Sequence, residues 1–60
     1  MKTIRITDVW ELSHAVYNAW LDETPVMLEI PTSLRSSFEE LLDESEEKEM
    51  DIEHIDWLYY

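Results

Sequence analysis

Carboxylates are the dominant reactive groups of this sequence. Fifteen Asp and Glu stand against 4 Lys and Arg and 2 His, with no Cys. Carboxylate pairs run acid–base chemistry only where a water-excluding pocket shifts their protonation into the working range. No spacing here marks such a pair, and 60 residues leave little interior for the pocket. Nucleophilic catalysis has no thiol to use, and Ser33, Ser36 and Ser37 have no base near them in sequence. His14 falls in an aromatic row and reads as a packing residue rather than a base. One stretch, Asp43-Glu44-Ser45-Glu46-Glu47, is loosely like the start of a calcium loop. An EF-hand needs Gly at its sixth position and Glu at its twelfth. Counted from Asp43, those positions are Lys48 and His54, so the match fails. A phosphate-cradling glycine loop is impossible without Gly. The expectation is a protein that is not an enzyme, with no catalytic residues, no metal and no cofactor.

The carboxylates matter more as charge than as chemistry. The formal net charge is −11, and it is unevenly spread. Residues 1–38 hold five acids against Lys2, Arg5 and Arg35, a net of −2. Residues 39–60 hold ten acids against Lys48 alone, a net of −9. Nucleic acid would repel such a chain, so direct nucleic-acid binding is not expected. No apolar run approaches the ~20 residues of a membrane span, and no membrane partner is expected. The N-terminal residues lack the apolar stretch of an export signal, and there are no cysteines for disulfides. Both point to the cytoplasm, the host cell's if the chain is phage-encoded.

High charge alone would argue for disorder. Seven aromatic residues and 45 % apolar content argue for a fold. The reading is one small acidic domain over 1–60, modestly stable, with homodimerisation left open.

The elements that must position these groups read as β-α-β-α-β. Residues 2–7 alternate, with Ile4 and Ile6 on one face. Asp8 is placed to cap a helix, and Glu11 three residues on completes a capping-box pattern. That helix runs to about Asp22, with Val9, Leu12, Val16, Ala19 and Trp20 as its core stripe and Ala15 on the opposite side. Residues 25–31 form a second strand with Val26, Leu28 and Ile30 on one face. Thr32 or Ser33 is placed to cap a second helix reaching about Lys48, with Leu34, Phe38, Leu41, Leu42 and Ser45 in its stripe. Residues 49–60 fit strand or helix. The β-forming Ile55, Trp57, Tyr59 and Tyr60 favour a strand, with Trp57 and Tyr59 toward the core. The expected class is α/β, with α+β as the alternative: a two-layer domain of three short strands with both helices on one face.

Two surfaces stand out. From Glu39 to Glu47 six acids fall in nine residues: Glu39, Glu40, Asp43, Glu44, Glu46 and Glu47. Along a helix that is one charge per ~2.2 Å of axis, close to the ~1.7 Å of duplex DNA. Glu39/Asp43, Glu40/Glu44 and Asp43/Glu47 are like-charge i, i+4 pairs, each destabilising by about 0.2–0.5 kcal/mol. The acids continue through Glu49, Asp51, Glu53 and Asp56. A sequence that breaks local stability rules this way often does so at a functional surface. The second surface is an aromatic row on the first helix, Trp10, His14, Tyr17 and Leu21, with Tyr60 near the end of the chain as a further contact candidate.

In size and composition the chain resembles the small acidic inhibitors that bacteriophages and mobile elements aim at host defence or DNA-handling enzymes. The acidic face itself points to a nucleic-acid mimic that occupies the basic groove of a DNA- or RNA-binding protein, with aromatic residues adding apolar contact. The alternative is an antitoxin, adaptor or small regulatory subunit that binds through the aromatic helix face. The acidic helix spans roughly 13 Å, short of the ~34 Å of a duplex turn, so the later acids or a dimer must extend the mimic.

Overall fold

A computed structural model describes all 60 residues. Strand β1 spans Lys2–Arg5, helix α1 Val9–Asp22, strand β2 Val26–Ile30, helix α2 Arg35–Glu47 and strand β3 Ile55–Tyr59. A 3₁₀ turn over Thr32–Leu34 leads into α2. The sheet order is β1-β2-β3 and both pairings are parallel. Each crossover is made by one helix. Right-handed crossovers that step in the same direction across a sheet deliver both helices to the same face.

The strand alternation sorts the side chains. Val26, Leu28 and Ile30 are buried beneath the helices. Register sets Ile4 and Trp57 on either side of Leu28. One apolar cluster joins the layers: Ile6, Leu12 and Phe38 with the three β2 residues, closed by Ala15, Val16, Ala19 and Ile55. Phe38 belongs to it, its ring in T-shaped contact with Trp57 at 5.0 Å and with Tyr59 at 6.5 Å between ring centroids. The other face of the sheet has no helix over it and carries Thr3, Arg5, Met27, Glu29, Asp56 and Leu58. Tyr60 belongs to that side: its ring lies 4.3 Å from the Arg5 guanidinium and its hydroxyl donates to the Ile6 carbonyl.

Helix α1 begins as expected at Asp8, whose carboxylate accepts from the Glu11 N–H at 2.8 Å. Glu11 reaches back one residue further than a regular capping box, accepting from the N–H and hydroxyl of Thr7. The core stripe is Leu12, Ala15, Val16 and Ala19. Ala15 is therefore not on the outer side, and Val9, placed in the core stripe by its spacing, is 43 % exposed. Leu12, Ala15, Val16 and Ala19 cluster more tightly around the helix than a stripe that includes position 9. Trp57 is also only half-covered, at 40 % exposure.

The start of α2 differs too. Its cap position is Leu34, with no side-chain cap. Thr32 is engaged elsewhere: its N–H and hydroxyl both donate to the Tyr60 carbonyl, at 2.8 and 2.9 Å. The candidate capping residue is thus held by the residue just past β3, the strand beside β2. Residues 55–59 are a strand, the favoured reading.

Candidate partner-binding surfaces

All ten acids of residues 39–60 are exposed. They do not form one face. A helix turns by 100° per residue, and Phe38 and Ser45 mark the buried side of α2. Asp43 and Glu47 then point outward, Glu40 and Glu44 lie on the side toward α1, and Glu39 and Glu46 lie on the far flank. Beyond that flank the chain from Lys48 to His54 folds back toward the sheet. There Asp43, Glu46, Glu49, Asp51 and Glu53 ring an open hollow of about 710 Å³ whose apolar residues are Leu42, Met50, Ile52 and Trp57. Asp56 is separate, on the helix-free face of the sheet opposite Met27.

The chain's own cations do little to neutralise this surface. The one ion pair is Arg35 with Glu39, one helical turn apart at 3.1 Å. Arg5 stacks on Tyr60, and the Arg35 guanidinium also lies over Tyr59 at 5.3 Å. No group of three or more His, Asp or Glu is arranged to hold a metal ion.

The aromatic row of α1 takes the opposite position to its core stripe. Trp10, His14, Tyr17 and Leu21 lie about half a turn around the helix from Leu12, Ala15, Val16 and Ala19. They are the most outward residues of the helix: Trp10 is 76 % exposed, Tyr17 54 % and Leu21 55 %. Trp20 sits on the flank facing α2, its ring 5.7 Å from that of Tyr17. Tyr60 does not join this row, because it lies across the sheet on the side away from α1.

Between the helices runs a groove of about 490 Å³, lined on the α1 side by Ser13, Val16, Tyr17 and Trp20 and on the other by Leu41, Glu44, Ser45, Lys48 and Met50. Sequence reasoning missed this groove. The helical spacing puts Trp20 in the core stripe, and Met50 lies outside any periodic segment. Met50 arrives there because the end of α2 is bonded down: its N–H donates to the Ser45 carbonyl at 2.9 Å, and Glu49 takes a positive φ of 56°. His54 fixes the other end of the same loop, its Nε2 lying 2.7 Å from the Ala19 carbonyl at the close of α1.

Comparison with protein-family models, with curated proteins and with solved structures returns no match. No helix is long and apolar enough to cross a membrane.

Proposed function

We propose that the protein is a non-enzymatic acidic inhibitor that occupies the basic groove of a nucleic-acid-binding protein in place of DNA or RNA. The observation that carries this reading is the unneutralised acid surface. Ten exposed carboxylates lie within 22 residues, and one of them is ion-paired. Complementary charge of this density accelerates encounter with a basic partner, an effect that falls with salt. The hollow ringed by Asp43, Glu46, Glu49, Asp51 and Glu53 extends the acid surface past the end of α2. Its apolar floor, with Trp57, adds a desolvated contact that a phosphate chain lacks.

The test is capture of partners from a source-cell lysate with and without excess duplex DNA. The wild type should retain a basic DNA- or RNA-binding protein that the competitor displaces. The variant Asp43→Lys/Glu46→Lys/Glu47→Lys should lose that capture. Capture that ignores both the DNA and the charge reversal would leave the acids as a solubilising face.

A second reading rests on a different observation. Trp10, Tyr17 and Leu21 are exposed at the outermost positions of α1, where a helix of this kind ordinarily carries polar residues. An adaptor, antitoxin or regulatory subunit would bind through that row. Trp10→Ala should then abolish partner capture while the triple reversal spares it.

A further inference from the structure

The groove between α1 and α2 has two unlike walls. The α1 wall is mainly apolar, formed by Val16, Tyr17 and Trp20 with Ser13, and Leu41 and Met50 add apolar lining from the other side. The α2 lip is acidic. Glu44 stands on it, and the depression continues toward the start of both helices past Val9, Ser37 and Glu40. Glu40 and Glu44 are one turn apart and neither is ion-paired. Lys48 closes the Met50 end. An apolar trough with a negative rim along one side is complementary to an apolar ridge with a positive rim.

We propose that this groove is a docking site for a basic amphipathic α-helix of another protein. The apolar stripe of that helix packs on Tyr17, Trp20, Leu41 and Met50, and its Lys or Arg side chains face Glu40 and Glu44. A helix is the form that fits. The walls are themselves helices with their backbone groups internally bonded, so an extended segment would find no free N–H or C=O to pair with. A helix brings its backbone already satisfied and presents apolar residues at i, i+3, i+4 and i+7. The length also fits: α1 has 14 residues and α2 has 13, so each wall is about 20 Å long, three to four turns of a third helix. A second copy of this chain does not fit. It would bring a charge of −11 and its own acidic α2 against the same lip. Lys48 sets the polarity, so the partner's cations belong toward the Val9 end. The proposal does not depend on nucleic-acid mimicry: it needs only Glu40 and Glu44 of the acid surface, together with an apolar groove that the mimic does not require.

The test is a titration of ¹⁵N-labelled protein with a synthetic helix of about 15 residues, leucines at i, i+3, i+4 and i+7 and lysines elsewhere. Amide shifts should centre on Ser13, Tyr17, Leu41, Ser45 and Met50. A peptide of equal charge with serines for the leucines should bind at least about tenfold more weakly. Tyr17→Glu and Glu44→Lys should each weaken binding by about tenfold. Thr3→Glu, which adds charge on the helix-free sheet face, should leave it within about twofold. Circular dichroism of each variant establishes that it is folded. Shifts confined to Asp43, Glu46, Asp51 and Glu53, equal binding of the two peptides, or equal effects of Tyr17→Glu and Thr3→Glu would overturn the proposal. The lysate capture with DNA competitor is unaffected by that result, so the two readings fail separately.

Discussion

Glu23 and Glu49 occupy backbone conformations that other chains give to glycine. Both have φ of 56°, and the sequence contains no Gly. Glu23 closes α1, its N–H donating to the Ala19 carbonyl at 3.2 Å in the left-handed geometry that ends many helices. A side chain with a Cβ adopts that region at a cost of roughly 1–2 kcal/mol, which glycine escapes. Glu23→Gly is therefore expected to stabilise the fold by about 1 kcal/mol, raising the melting temperature by ~4–8 °C. Removing an acid from the negative end of a helix dipole also helps, so the variant changes two things at once. Glu23→Ala separates them: it removes the charge and keeps the Cβ. Thermal unfolding should rank Gly above Ala. If the two are equal, charge and not backbone strain dominates at this turn.

At the scale of elements, Phe38 links the two halves of the chain. It is buried at 1 % exposure on α2 and packs with its ring tilted steeply against those of Trp57 and Tyr59 from β3. Its replacement by Ala removes contacts worth about 3–5 kcal/mol. A chain of this length has a total stability of only roughly 3–9 kcal/mol. Phe38→Ala should therefore lose its cooperative melting transition and its near-ultraviolet dichroism. A retained sharp transition would mean that β3 is held mainly by its ladder to β2. Much of this architecture was legible in the sequence, because the periodicities of Leu34 to Ser45 and Val26 to Ile30 each admit one burial pattern. The α1 stripe was legible only in part. Apolar residues occupy both sides of that helix, so spacing alone could not say that Ala15 faces in and Val9 out. Nor could it say that Trp10, Tyr17 and Leu21 stay uncovered, since that depends on there being no third layer. Thr32 shows a different limit. It has the chemistry of a cap, but the Tyr60 carbonyl, 28 residues away, takes its hydroxyl. The groove was illegible for a similar reason, because Met50 reaches it through a loop held by His54 and Glu49 rather than by any repeat.

For the whole molecule, charge sets two quantities that must move in opposite directions. A net of −11 sits on a body of 26 × 25 × 16 Å with a single ion pair, and most of it lies in α2 and the loop behind it. Folding brings these acids closer than they are in the open chain, so their repulsion opposes the compact state. The screening length is ~10 Å at 0.1 M salt and ~30 Å at 0.01 M, longer than the molecule's widest dimension at the lower concentration. Melting temperature should therefore rise steadily as sodium chloride goes from about 0.01 to 1 M. The same ions screen attraction to a basic partner, so affinity for the synthetic Leu/Lys helix should fall over the same range. The two peptides carry equal charge, so the fold-change with salt should be similar for both, while the leucines keep the Leu/Lys peptide the tighter binder throughout. Dichroism melts and peptide titrations at matched salt concentrations give both trends. A melting temperature flat in salt would mean that the acids lie no closer in the fold than in the unfolded chain. The acidic surface would then carry no intrinsic penalty, and its accumulation along α2 would need no partner to explain it.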